Sequence, residues 1–277
     1  MAPRRVALLT DAGARRVSLT DGRARVWYPP MTRAGCGVLL IAHRGASAEA
    51  PESTRAAIQR AVALRADMIE LDVQLTRDAR LVIFHDERLE RTTNGHGHLA
   101  DWSYADLARL DCGAWFAPRF SGQRMMLVSH VLQETPTSTR INLELKRTAR
   151  PLPLIEGFVR CLRWTRAASR VLASSFDASL LERLQRADAR VAKALLCRHR
   201  PGPSLRTAVR LGCTAFHPHA SLVTRRVVDD AHASGLRVHA WTVDEPQEAR
   251  RLIDLGVDGL VTNRPDRLDA VCHPKRA

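Results

Sequence analysis

Eight short apolar runs, each followed by a stretch of helical period, constrain this chain more than any other feature. The runs are Val38 to Ala42, Met68 to Val73, Ile141 to Leu145, Val171 to Ser174, Val191 to Leu196, Cys213 to Phe216, Leu236 to Trp241 and Gly259 to Thr262. Runs this short and this apolar suit strands buried on both faces, as in a parallel sheet covered by helices. Eight β–α units in an α/β chain predict a (β/α)8 TIM barrel, a fold of typically ~250 residues. A doubly wound sheet is the alternative, but no G-x-G-x-x-G follows the first run, which counts against a dinucleotide fold.

The helices carry their own start and stop signals. Asp177 can cap a helix with a Leu180, Leu181 and Leu184 face, and Thr224 one with Val227, Val228 and Ala231. Asp244 and Pro246 open a third, carrying Ala249, Leu252 and Ile253. Helix end, glycine and strand recur at Leu211-Gly212-Cys213, Ser234-Gly235-Leu236 and Leu255-Gly256-Val257. The alternation breaks once, between the second run and Ile141. That region opens with Leu81-Val82-Ile83-Phe84, passes a turn-rich stretch and holds Trp102, Trp115, Phe116 and Phe120. It reads as an insertion with its own apolar cluster. The expected division is a weakly ordered basic extension over 1–37, a barrel over 38–270 with the insertion at 74–127, and a tail over 271–277.

Composition narrows the function classes. Of 277 residues, 43 are Lys or Arg and 29 Asp or Glu, a net charge of +14, with 45% apolar. The apolar share excludes a disordered chain. Only three of the basic residues are lysines (Lys146, Lys193 and Lys275), and the arginines are spread evenly. A nucleic-acid surface would cluster them among exposed aromatics, so the pattern points away from nucleic acid. A basic nucleic-acid-binding protein is kept as the alternative of another class. No apolar stretch reaches the ~20 residues of a membrane span. The six cysteines show no C-x-x-C spacing, as expected of reduced thiols in a cytoplasmic protein. Cys36 faintly resembles a lipoprotein cleavage site, but no apolar segment precedes it.

Barrel enzymes place functional side chains at the C-terminal ends of strands. Here those ends read His43-Arg44-Gly45, Glu70-Leu71-Asp72, Glu144-Leu145-Lys146 and Trp241-Thr242. Glu70 and Asp72 lie two apart on a strand and share a face, as do Glu144 and Lys146. If both pairs point inward, three carboxylates converge, and a cation is needed to balance them. Oxygen donors favour Mg²⁺ or Ca²⁺ over zinc. The bland alternative is solvated acidic strand ends. If the chain after Asp72 turns near Asp78-Ala79, positions summing to 157 pair, and His85 lies opposite Asp72. Taken alone, His43 or His85 reads as a structural histidine; two at one carboxylate cluster suggest a general acid and a general base. Arg44 and Lys146 add positive charge suited to a phosphate, although Arg44 could also bridge to Glu52. Trp241 reads as an apolar wall for substrate. His217 and His219 either line the mouth or belong to a plain loop. Ser174 and Ser175 could hydrogen-bond there.

Together these residues resemble the glycerophosphodiester phosphodiesterase family. The matching text is His43-Arg44-Gly45, Pro51-Glu52-Ser53-Thr54, Ile69 to Thr76, His85-Asp86, Leu89 to Gly95, Asn142 to Lys146, Trp241-Thr242-Val243 and Asp258 to Pro265, in order across most of the chain. The resemblance implies a barrel with an insertion after its second strand. It implies a divalent ion at Glu70, Asp72 and Glu144, an acid–base pair in His43 and His85, and phosphate contacts from Arg44 and Lys146. It implies a phosphoric diester hydrolase that cleaves glycerophosphodiesters to glycerol 3-phosphate and an alcohol, by attack of the neighbouring glycerol hydroxyl or of water. A lysophospholipase D in the same site is the near alternative, with Trp241, Trp115 and Phe116 forming an apolar mouth. The chain departs from the family with Ser53 for the usual Asn, Ala79 for the usual Gly, and Met126 to His130 for a Pro-Thr-Leu-x-Glu stretch, which removes a carboxylate near the site.

Overall fold

The computed structural model of the chain describes residues 37–274, together with the backbone of Val6–Ala7 and Arg16–Val17, which pair antiparallel. Apart from Gly37 and those four residues, the expected 1–37 extension lies outside the described residues. Eight parallel strands follow: β1 (Leu39–His43), β2 (Met68–Leu75), β3 (Arg140–Leu145), β4 (Val171–Ser175), β5 (Ala192–Cys197), β6 (Ala215–Pro218), β7 (Arg237–Ala240) and β8 (Gly259–Thr262). Each pairs with the next, and β8 closes on β1 with Thr262 opposite Ala42. The fold is the (β/α)8 barrel that the eight runs imply.

Helices wrap the outside: α1 (Arg55–Ala63), α2 (Val128–Glu134), α3 (Pro151–Thr165), α4 (Ala178–Ala187), α5 (Pro201–Arg210), α6 (Arg225–Ala233), α7 (Pro246–Asp254) and α8 (Pro265–Cys272). Asp177 and Thr224 cap α4 and α6 through the backbone N–H groups of Ser179 and Val227. Each such cap is worth about 1 kcal/mol. Asp244 does not cap α7; it faces the barrel mouth instead. Leu180, Leu181 and Leu184 of α4 are buried, each contributing roughly 1.5–3 kcal/mol through burial. The last helix runs to Cys272, two residues beyond the expected boundary, because Cys272 packs into the core.

Period-two alternation sorts each strand into an outer and an inner face. Outward Ala42, Ile69, Leu71, Val73, Leu143 and Leu145 pack under the helices in one large cluster. The inner face carries Leu39, Ile41 and His43 on β1, Met68, Glu70 and Asp72 on β2, and Asn142 and Glu144 on β3. Ile41, Met68 and Val261 fill the barrel interior below the mouth. A lower apolar layer therefore supports an upper polar one.

The insertion begins as a hairpin. Met68–Leu75 pairs antiparallel with a strand at Leu81–Ile83, and Gln74 faces Val82. The paired positions therefore sum to 156, not 157, and Phe84 donates its N–H to Asp72 O at 2.9 Å. The register moves by one because Arg77, Asp78 and Ala79 form a three-residue loop, closed by Thr76 N–H to Arg80 O. Such loops end in a left-handed residue, and Ala79 holds φ 59°. The expected aromatic cluster divides in two. Trp102 packs on the insertion's own core with Val82, Phe84, Leu89, Leu99, Leu107 and Met125. Trp115, Phe116 and Phe120 stack edge to face elsewhere on the insertion.

Candidate active site

The mouth is built first by a sharp turn after β1. Arg44 (φ 56°) and Gly45 (φ 83°) are both left-handed. A side chain at position 45 would meet the Ala57 carbonyl carbon at 2.6 Å, so only glycine lets α1 pack this close to β1. Arg44 stays in a conformation costing ~1–2 kcal/mol, held by its N–H donating to Glu70 O at 2.8 Å. Ser53 also lies in this region (φ 61°), which explains why the family's usual Asn suits the position.

Strand register brings the charged groups together. His43 sits opposite Glu70 on β2, and Asp72 opposite Glu144 on β3. Oxygens of Glu70, Asp72 and Glu144 lie within 4.8 Å of one another, all buried. Lys146 Nζ reaches Asp72 Oδ1 at 3.1 Å and Glu144 Oε1 at 2.9 Å. Arg44 Nε lies 3.3 Å from Asp72 Oδ2, and its Nη1 donates to Glu52 Oε1 at 2.9 Å. The bridge to Glu52 and the place beside the carboxylates thus coexist. Burial drives the Glu70 carboxyl well above its usual range, with Asp72 and Glu144 adding repulsion. Burial and Asp72 push Glu144 up to about 7. At Asp72 burial acts upward too, but Lys146 and Arg44 outweigh it and hold the group low. Two cations beside three carboxylates leave one negative charge without a partner. Asp72 Oδ2 also makes no hydrogen bond despite complete burial. This donor set can hold a hard metal ion.

Each mouth histidine has one ring nitrogen fixed. Asn263 Nδ2 donates to Asp244 Oδ2 at 2.7 Å, which sets the orientation of its amide. Asn263 Oδ1 therefore accepts from His43 Nδ1–H at 2.7 Å, leaving Nε2 facing Glu70 Oε2 at 3.9 Å. His85 Nδ1–H donates to Asp86 Oδ1 at 2.5 Å, so its Nε2 is left for the cavity. Asp86 is bound by Arg91, which also forks onto Glu52 at 2.7 and 2.8 Å. An ion-pair chain thus runs from the insertion through Glu52 and Arg44 to Asp72. Burial, then Arg44, lowers His43 to about 4. Burial likewise lowers His85. His85 reaches the mouth although the one-residue shift puts Phe84 opposite Asp72.

These groups line a cavity of about 280 Å³. Its floor holds three deeply buried polar atoms without protein hydrogen-bond partners: Asn142 Oδ1, Ser174 Oγ and His217 Nε2. Ser175 turns away and donates to Leu145 O at 2.7 Å. His217 is interior, not a loop residue, and stacks on His239 at 4.7 Å. The far wall is aromatic. Trp241 Nε1 donates to His217 O at 2.8 Å, Phe176 meets the Trp241 ring edge-on at 5.4 Å, and His219 does so at 5.1 Å. Arg198 covers both rings, 5.5 Å from Phe176 and 5.3 Å from Trp241. Trp115 and Phe116 are not among the residues lining the cavity.

All eight candidates, His43, Arg44, Glu70, Asp72, His85, Glu144, Lys146 and Trp241, thus meet at one mouth. Sequence reasoning missed Asn263, Asp244, Asp86, Phe176 and Arg198. Asp86 was legible as a carboxylate beside a candidate histidine. Nothing local marks Asn263 as the partner of residue 43.

The chain matches the glycerophosphoryl diester phosphodiesterase family over residues 43–267. It is similar to the glycerophosphodiester phosphodiesterase of Caldanaerobacter subterraneus subsp. tengcongensis, 34% identical over 232 residues, covering 83% of this chain and 96% of the relative. The glycerophosphodiester phosphodiesterase of Bacillus altitudinis is 35% identical over 236 residues, covering 82% of this chain and 95% of that one. A phosphodiesterase of Oleispira antarctica, solved in complex with its product sn-glycerol-3-phosphate, superposes with a TM-score of 0.79 at 27% identity, covering 84% of this chain and 96% of that one.

Proposed function

The chain belongs to the glycerophosphoryl diester phosphodiesterase family, and from that premise we propose that it hydrolyses glycerophosphodiesters to glycerol 3-phosphate and an alcohol by histidine acid–base catalysis. One observation carries the reading: two histidines, each with Nδ1 engaged by a side chain, share a cavity with three converging carboxylates and two cations.

Arg44 and Lys146 flank the place where the phosphate lies. The unpartnered floor atoms of Asn142, Ser174 and His217 receive the glycerol hydroxyls, since a buried polar atom gains most from a partner that ends its isolation. This seats glycerol inward and the second alcohol outward. Mg²⁺ or Ca²⁺ held by Glu70, Asp72 and Glu144 would supply Lewis-acid stabilisation of the phosphoryl oxygens. His43, with a neutral amide at Nδ1, takes the proton of the attacking hydroxyl on Nε2. His85, with the Asp86 carboxylate behind it to support an imidazolium, gives a proton to the departing alcohol oxygen as the P–O bond breaks. Attack by the neighbouring glycerol hydroxyl leaves a cyclic phosphate, which water then opens as His85 takes the water's proton and His43 returns its proton to the glycerol oxygen, so that the net change is addition of one water across the broken bond. Two such groups contribute roughly 10²–10⁴-fold each.

The purified protein with Mg²⁺ or Ca²⁺ is expected to release glycerol 3-phosphate from glycerophosphoglycerol, glycerophosphoinositol or glycerophosphoethanolamine. A chelator stops release and restored cation revives it. Absence of product from all three diesters sinks the reaction; release undiminished by chelator sinks the cation.

A further inference from the structure

We infer that Arg198 selects the leaving group, favouring diesters whose outward alcohol carries an anionic group and disfavouring those that carry a quaternary ammonium. The inference rests on the glycerophosphodiester reading of the cavity and adds to it the class of head group.

Charge is distributed unevenly around the cavity. Arg44 is matched by Glu52 and Asp72, and Lys146 by Asp72 and Glu144. Arg198 also lines the cavity, and among the described residues no carboxylate pairs with it. The outer wall therefore presents a cation whose charge is not balanced locally. It is exposed, whereas the unpartnered atoms of Asn142, Ser174 and His217 are buried at the floor. A diester with glycerol at the floor and phosphate between Arg44 and Lys146 directs its other alcohol toward this wall.

Two consequences follow from chemistry. An aromatic wall of Phe176 and Trp241 is by itself a good seat for a quaternary ammonium. Here both rings already carry a guanidinium, 5.5 and 5.3 Å from their centroids. A second cation would meet like charge within the same contact distance. Conversely, the two rings hold the planar fork in place, and a preorganised guanidinium takes a carboxylate or phosphate through paired hydrogen bonds.

A matched set of substrates reads this out: glycerophosphoinositol 4-phosphate (anionic), glycerophosphoinositol (neutral) and glycerophosphocholine (cationic), compared by kcat/KM in the wild-type holoenzyme, Arg198→Gln and Arg198→Lys. Wild type is expected to rank them anionic, neutral, cationic. Arg198 is exposed and its charge partly screened, so Arg198→Gln should lower the anionic-to-neutral ratio about tenfold and raise the cationic-to-neutral ratio. Arg198→Lys, which keeps the charge, should keep the order. Ratios unchanged in Arg198→Gln overturn the inference, because Arg198 would then only pack on the rings. An equal fall on all three substrates also overturns it, by placing Arg198 on the scissile phosphate. Failure of the wild type on all three is a separate outcome: it removes the proposed reaction itself.

Discussion

Two pairs of histidines occupy this barrel, one at the mouth and one a layer deeper. His43 and His85 each have Nδ1 engaged, by Asn263 and by Asp86, and the second nitrogen left for the cavity. His217 and His239 stack face to face in the interior and are almost fully buried. Burial lowers all four below the usual histidine range. The pairs therefore differ in what stands behind each ring and in what each ring faces. A low pKa alone does not mark a reactive histidine; a fixed tautomer facing a phosphate-sized space does.

Removing rings is the strongest way to break that contrast. His43→Ala and His85→Ala are each expected to lower kcat about 10²–10⁴-fold while circular dichroism and melting stay near wild type. A p-nitrophenyl diester, whose leaving group needs no proton, should rescue His85→Ala much more than His43→Ala. Equal rescue reverses or removes the assigned roles. Near-normal turnover in both variants discards them.

A smaller effect sharpens the role of the partner behind the ring. Asn263→Ala leaves His43 in place but frees its Nδ1 and its orientation. A misplaced catalytic group can cost on the order of 10²-fold, so kcat should fall roughly 10–100-fold with KM little changed. A fall in KM-dependent binding alone would make Asn263 a substrate contact instead of a positioning residue.

The smallest effect falls on His239, the interior ring that does not line the cavity, and is read as stability. Burial brings His239 from 6.5 to about 4. A base with a lowered folded pKa binds fewer protons folded than unfolded, so its stabilising contribution is full above the unfolded value. It is lost as pH falls from 6.5 toward 4. At pH 5 the loss is on the order of 2 kcal/mol for His239. Thermal melts at pH 7 and pH 5 should show a larger drop for wild type than for His239→Gln. An identical drop would mean that the pair does not stay neutral in the folded protein.

Legibility in the sequence followed the range of each interaction. The barrel was readable because a strand covered on both faces must be apolar along its length, as Val171 to Ser174 is. The triad was readable because i and i+2 share a strand face, which places Glu70 with Asp72. The hairpin register was not, since a three-residue loop with Ala79 at φ 59° carries no glycine to announce it. The split of Trp102 from Trp115, Phe116 and Phe120 was hidden for a related reason: nearness in sequence does not say which side of an insertion a ring faces. Asp244 looked like a helix opener because acidic residues before Pro usually are, yet closure of the barrel gives it a stronger partner in Asn263.

That closure has a consequence in time. His43 and Asn263 are 220 residues apart, and they meet only when β8 (Gly259–Thr262) docks against β1 (Leu39–His43). A ribosome makes the histidine first and its partner 220 residues later. A chain cut short before β8 carries nearly every charged group of the mouth and still leaves His43 without the amide that orients it. The orientation of His43 thus waits for the eighth strand of the barrel, whose docking brings Asn263 to its ring.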